Sequence, residues 1–236
     1  VKIVIGLVVK DGKEFVDRWI KSVEKIDCKF LVVDNGADKE VRQKLIAHPQ
    51  MLQYHIQKFP ERNQSRDYQK ILEMAREEHA QWVWNLDIDE CTPDIESDYL
   101  HFNVLNTSEF TIAFPLFEMR NDDKHYVMIR EPNGNLKDGR LVHKMYKTAA
   151  HFEFDQTDTH GCSVPHNAPR TLKYAPVPIQ HFGHYSKELR EEKRNRLGHY
   201  KDDQEQLQTW LEDDESKITI KKWEDLEQKW NDQKPQ

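Results

Sequence analysis

The sequence predicts an α/β fold in which a mixed sheet opens with parallel βαβ units, has helices on both faces and ends in a helical tail. Three observations carry this expectation. Residues 1–9, 29–33 and 82–86 are nearly continuous apolar runs rich in β-branched and aromatic residues, the texture of strands buried on both faces. Between them the apolar residues recur at three- and four-residue spacing, as on one face of a helix. Beyond residue 98 the runs FTIAFPLFEM, HYVMIR and LVHKMYK are separated by polar turns with Asn, Asp and Gly, which reads as a mixed or antiparallel half.

Along the chain, the first strand ends on Lys10-Asp11-Gly12 and is followed by a helix whose stripe is Phe15, Val16, Trp19, Ile20, Val23 and Ile26. The second strand, KFLVV, stops at Asp34-Asn35-Gly36, residues suited to a tight turn. A helix over about 38–47 and a short strand over about 52–57 come next. Ser65 is placed to cap a helix carrying Tyr68, Ile71, Leu72 and Ala75, which leads into the strand QWVWNLDID. From Ser186 onward the chain is charged and helical, with Leu197, Leu207, Trp210, Leu211, Trp223, Leu226 and Trp230 as apolar anchors. No internal repeat or low-complexity tract is present.

The 236 residues, 37% of them hydrophobic, suffice for one sizeable core. A net charge of -7 argues against nucleic-acid binding, which calls for a basic face to neutralise phosphates. The three cysteines, Cys28, Cys91 and Cys162, are odd in number and far apart, which suits reduced thiols in a cytoplasmic setting. No apolar run reaches membrane-spanning length, and the opening residues read as a first strand and not as a signal peptide. Peripheral contact with a membrane-bound acceptor stays open.

The chemistry concentrates at strand ends. Asp87 and Asp89 follow an apolar strand, and two-residue periodicity in an extended chain points both carboxylates the same way, so that they can share a hard divalent cation, Mg2+ or Mn2+. The plainer alternative is a turn into Cys91-Thr92-Pro93. Asp34 and Asn35 close the second strand, where an acidic side chain can meet a base or ribose or simply shape the turn. Arg62, Asn63 and Arg66 sit at a helix start that suits a phosphate or merely a solvated end. A third cluster, His181-Phe182-Gly183-His184-Tyr185, leads into a basic helix with Lys187, Arg190, Lys193, Arg194 and Arg196. There is no Walker phosphate loop, no GxGxxG after the first strand and no HExxH, which disfavours kinase, dehydrogenase and zinc-protease readings.

Taken in order, VKIVIGLVV, Asp34-Asn35-Gly36, Asn63 to Arg66, Trp82 to Glu90 and the late HFGHYSKELREEKRNR resemble the landmarks of GT-A glycosyltransferases, in particular the inverting family-two type. The resemblance covers roughly residues 1–200. It implies a GT-A, Rossmann-like sheet over 1–200, with a donor half at 1–98 and an acceptor half at 99–185, and a helical extension at 201–236. It further implies Asp34 at the nucleotide, Asp87 near the ribose or the metal, Asp89 and His181 on a divalent cation, Mn2+ or Mg2+, and Lys193 and Arg196 on the phosphates, to which Arg66 at the start of its helix can add. Where family members carry a His-Glu pair, His160 is followed by Gly161, so Asp158 is the candidate base, with Asp155 and Glu153 as rivals. The implied activity moves a sugar from a nucleoside-diphosphate sugar to an acceptor hydroxyl on a glycan, lipid-linked glycan or glycoprotein, with inversion. A metal-dependent nucleotidyltransferase or hydrolase, and a nucleotide-sugar-binding module without turnover, are the competing readings.

Overall fold

The computed structural model describes residues 2–58, 63–92, 100, 107–130, 136–155, 162–170, 173–175, 177–183, 185–191 and 219–226. The elements in chain order are β1 (Ile3–Asp11), α1 (Val16–Val23), β2 (Lys29–Ala37), α2 (Lys39–Ile46), β3 (Met51–Ile56), α3 (Gln64–Glu77), β4 (Trp82–Asn85) and β5 (Glu90–Cys91). They continue with β6 (Thr111–Arg120), β7 (Asp122–Val127), β8 (Ile129–Arg130), β9 (Leu136–Lys137), β10 (Arg140–Lys147), β11 (Ile179–His181) and β12 (Ile220–Lys222). The chain forms two compact units, Val1–Phe114 with Val142–Val177, and Pro115–Leu141 with Pro178–Gln236.

In the first unit the strand order is β10-β4-β1-β2-β3. The pairs β1·β2, β1·β4 and β2·β3 are parallel, whereas β10 runs antiparallel to β4. The fold is therefore mixed α/β with parallel N-terminal units, as the alternating patterns predict. Both faces of β1 and β2 are covered, which explains their unbroken apolar character. On one face Val4, Leu31, Val33 and Val83 form a core cluster with Tyr68, Ile71, Leu72 and Ala75 of α3 and with Tyr146, Phe152 and Phe154. On the other, Phe30 meets Trp19 of α1 edge to face at 5.1 Å.

The strand and helix bounds differ from the sequence-based ones mainly at polar ends. β1 and β2 run on to Asp11 and Ala37 because pairing continues, with a register shift, into the turn residues. β4 stops at Asn85, well short of Asp89. The cap of α3 is Asn63, whose side chain accepts the Arg66 amide at 2.8 Å, and not Ser65, which is buried inside the first turn.

In the second unit β7 pairs antiparallel with β6, β12 pairs antiparallel with β7, and β11 lies parallel to β6 with His181 opposite Glu118. Phe117, Tyr126 and Trp223 pack edge to face at 5.2, 5.5 and 6.3 Å between ring centres. Within the C-terminal extension, residues 220–222 thus add a strand ahead of a helical turn at 223–226. No helix among the described residues is long and apolar enough to cross a membrane.

Gly6, at the middle of β1, is where α3 and β4 close in. A Cβ there would meet Ile71 Cγ2 at 2.5 Å and the Asn85 Oδ1 atom closer still. Gly6→Ala is expected to lower unfolding stability by about 1–3 kcal/mol through overpacking, read from the urea midpoint at unchanged slope.

Candidate functional site at the carboxyl ends of the parallel strands

β1 is central, with β2 on one side and β4 on the other. The chain leaves β1 towards β2 and β3, then returns through α3 to β4 on the opposite side. The carboxyl ends of β1 and β4 therefore form a topological switch point, the place where an open α/β sheet leaves a crevice. Gly12 follows β1 with φ +83°, and a Cβ on it would lie 3.0 Å from Ile88, so the loop after β1 packs directly on the turn after β4.

The irregular end of β2, where its register against β1 shifts, is organised by Asp34, which is fully buried. Its Oδ1 accepts the Gly36 and Ala37 amides at 2.9 and 2.7 Å. Its Oδ2 accepts Arg42 Nε at 2.7 Å and the Tyr54 hydroxyl at 2.8 Å. Gly36, at φ +107°, supplies the left-handed conformation that lets both amides turn back. Burial pushes this carboxyl up, but the bonds from Arg42, Ala37, Tyr54 and Gly36 more than offset it and hold the pKa below the ordinary 3.8. Asp34 was expected to bond a base or ribose. With four protein donors on its two oxygens, its geometry is that of the group that shapes the loop.

Next to it lies a network the sequence did not signal. Asp67, buried in the first turn of α3, accepts Asn35 Nδ2 at 2.7 Å, Gln57 Nε2 at 2.9 Å and Arg66 NH2 at 3.0 Å. Burial raises its pKa above 3.8 despite the opposing pull of Arg66, Asn35 and Gln57. The network ties the end of β2 to the start of α3 and fixes Arg66, whose side chain keeps 30% exposure.

The acidic turn after β4 departs from the extended geometry that two-residue spacing assumes. Residues 88 and 89 form a turn, closed by the Glu90 amide on the Asp87 carbonyl at 2.9 Å. Asp87 is thereby coupled to Glu90, whose Oε2 accepts the Asp87 amide at 3.0 Å. Lys144, from β10, places its ammonium 2.9 Å from Asp87 Oδ2 and 2.8 Å from Glu90 Oε1. The Tyr68 hydroxyl of α3 donates to Asp87 Oδ1 at 2.8 Å. Burial disfavours the charged lysine, but Asp87 and Glu90 outweigh it and raise its pKa above 10.5. Tyr68 is likewise raised, first by burial and then by the Asp87 charge, so it is a neutral donor.

In the second unit, Glu118 is buried and accepts His181 Nδ1 at 2.5 Å, with Arg140 3.5 Å from its other oxygen. A carboxylate on Nδ1 orients the imidazole and places a proton there. Asp89 and His181, the implied cation ligands, belong to different units. Asp158, Lys193, Arg196, Arg62, His160 and His184 lie outside the described residues. Glu153 and Asp155 are exposed on either side of buried Phe154, which packs on Tyr68 at 5.7 Å.

Asp87 and Glu90, taken as a pair, do not suit Mn2+ or Mg2+ as a donor set. Such a cation needs several hard oxygens with available lone pairs, whereas the oxygens of Asp87 and Glu90 are engaged by Lys144, Tyr68 and a main-chain amide. Among the described residues, no group of three or more His, Cys, Asp or Glu side chains is arranged to hold a metal ion.

No family model and no curated protein matches the chain. Solved structures similar to it include TarS of S. aureus, at 12% identity and a TM-score of 0.49, covering 89% of this chain and 42% of that one. TarS 1–349 in complex with UDP-GlcNAc is similar at 12% identity and a TM-score of 0.45, covering 89% and 70%. A 4-diphosphocytidyl-2C-methyl-D-erythritol synthase is similar at 12% identity and 0.38, covering 62% and 74%. The chain spans less than half the length of the longer TarS chain.

Two outcomes are expected at this site. Lys144→Met leaves the buried Glu90 and the partly exposed Asp87 without their cation and should cost about 2–4 kcal/mol, with part recovered in Asp87→Asn/Lys144→Met; equal losses in both would remove the pairing. The folded pKa of Asp34 lies below the ordinary 3.8, so its stabilisation is complete above that value and is lost as pH falls through the folded pKa. Urea unfolding of Asp34→Asn should therefore show a loss of about 1–3 kcal/mol at pH 7 and a shallower decline into acid than the wild type.

Proposed function

We propose that this chain is a glycosyltransferase of the GT-A kind that binds a nucleoside-diphosphate sugar at the carboxyl ends of β1, β2 and β4 and moves the sugar to an acceptor hydroxyl with inversion. The observation that carries this reading is the acidic turn Asp87–Glu90 at the switch point beside β1, with the Asp34 turn on the other side of the same strand. Two polar segments flanking one buried strand put hydrogen-bonding groups on both sides of the switch point, where a diphosphate is proposed to bind. The order of the sequence landmarks agrees with that placement.

The roles follow from the side chains. The turn held by Asp34 presents the main chain around Asn35 and Gly36 to the nucleoside. Arg66, on the first turn of the 14-residue α3, adds charge to the partial positive end of that helix and faces the phosphates. Asp87, partly exposed and held from behind by Lys144 and Tyr68, accepts from a donor hydroxyl. Asp158 is the proposed base that takes the acceptor proton as the acceptor oxygen attacks the anomeric carbon, and Lys193 and Arg196 are the proposed partners of the departing diphosphate. No step is routed through a divalent cation, because Asp87 and Glu90 are already paired with the Lys144 ammonium. The acceptor is of carbohydrate type. Three cysteines without a disulfide, two of them buried, support a cytoplasmic setting.

The test is a melting-temperature panel of nucleoside diphosphates and their sugars, on the wild type and Arg66→Ala, followed by product analysis. One nucleotide should stabilise the wild type, by about 2.7 kcal/mol at a hundredfold excess over Kd, and Arg66→Ala should bind it roughly tenfold or more weakly. A panel in which no nucleotide raises the melting temperature sinks the reading. Release of pyrophosphate from a nucleoside triphosphate would replace it with nucleotidyl transfer.

A further inference from the structure

Lys144 stands out among the buried charged groups. Its side chain is 6% exposed, that of Glu90 3% and that of Asp87 28%, so the ammonium is enclosed while one carboxylate reaches the crevice. It comes from β10, where the next residue, Met145, is opposite Trp84 of β4, and this brings Lys144 level with the end of that strand. From there the side chain reaches past β4 to both carboxylates of the turn. Each of the four oxygens of Asp87 and Glu90 is addressed: Asp87 Oδ2 and Glu90 Oε1 by Lys144, Asp87 Oδ1 by Tyr68 and Glu90 Oε2 by the Asp87 amide.

We propose that Lys144 is the resident cation of this acidic turn, occupying the electrostatic place that a divalent metal would take on Asp87 and Glu90. A metal ion bound to either carboxylate would sit within a few ångströms of an enclosed ammonium and would meet its repulsion at low effective dielectric. It would also have to compete with the hydrogen bonds from the Tyr68 hydroxyl and the Asp87 amide. Lys144 is thus a positioning residue. It fixes Asp87 in direction, together with the Tyr68 hydroxyl, and it leaves the turn with less net charge than its three acidic residues suggest. The consequence is selectivity: the turn takes neutral donors such as hydroxyl groups and does not gather Mn2+ by itself. The inference takes from the proposed function only that the end of β4 faces the ligand.

The experiment is a Mn2+ titration of the nucleotide-free full chain, followed by the electron paramagnetic resonance signal of free Mn2+, on the wild type and Lys144→Gln. The wild type is expected to leave micromolar Mn2+ free. Lys144→Gln, with no ammonium beside Asp87 and Glu90, is expected to bind one Mn2+ roughly tenfold or more tightly than the wild type. Micromolar binding by the wild type overturns the proposal, as does a folded Lys144→Gln with no gain in affinity. If circular dichroism shows Lys144→Gln unfolded, the wild-type titration decides alone. No nucleotide is present, so failure here leaves the donor reading standing, and failure of the nucleotide panel leaves this one standing.

Discussion

Everything in the first unit depends on the burial of β1 on both faces and along both edges. Because β2 and β4 pair with it in parallel, their carboxyl ends emerge side by side. Gly6 is part of that constraint, since only the absence of a Cβ lets Ile71 of α3 and Asn85 of β4 approach so closely. Asn85 in turn donates to the Ser163 carbonyl at 2.8 Å, which anchors the end of β4 just before the acidic turn. A polar side chain buried at this depth needs such a partner, so packing and hydrogen bonding here are one requirement.

The polar ends of the strands are then specified by electrostatics more than by packing. Asp34 and Asp67 lie in adjacent positions of the fold yet respond oppositely to burial. Four donors outweigh desolvation at Asp34, whereas at Asp67 the three partners do not. Both carboxylates act inward, one folding a turn and the other joining that turn to α3. The exposed groups at this end, Arg66 and the partly exposed Asp87, are each held by a buried partner. Preorganisation of this kind keeps ligand-facing groups in place before a ligand arrives.

Much of the architecture was legible from periodicity. β1, α1, β2, α2, β3 and α3 fall where apolar runs and helical stripes put them, because burial on both faces of a strand or one face of a helix leaves a local signature. The misread features are polar ones. Asn63 and Ser65 are both good caps by type, and which one caps α3 depends on where the backbone enters the helix. Asp87 and Asp89 look paired at two-residue spacing only if the chain stays extended, and the turn at residues 88 and 89 instead couples Asp87 to Glu90. The QWVWNLDID run was an apolar strand with an acidic end, and nothing local distinguishes its last strand residue from its first turn residue.

By itself the sequence determined the alternation of strand and helix and the fact that acidic and polar residues stand at the ends of buried strands, since both are encoded within windows of a few residues. It also marked Asp34-Asn35-Gly36 as a break in regular pairing, which the structure resolves as an irregular end of β2 with Gly36 at positive φ and not as a turn that ends the strand. Tertiary structure alone decided what those acids do. Lys144 meets Asp87 across 57 residues of chain because β10 pairs with β4, and Asn35 meets Asp67 across 32 because α3 packs beside β2. A carboxylate's partner is set by which strands pair and in what register, and no local pattern records that choice.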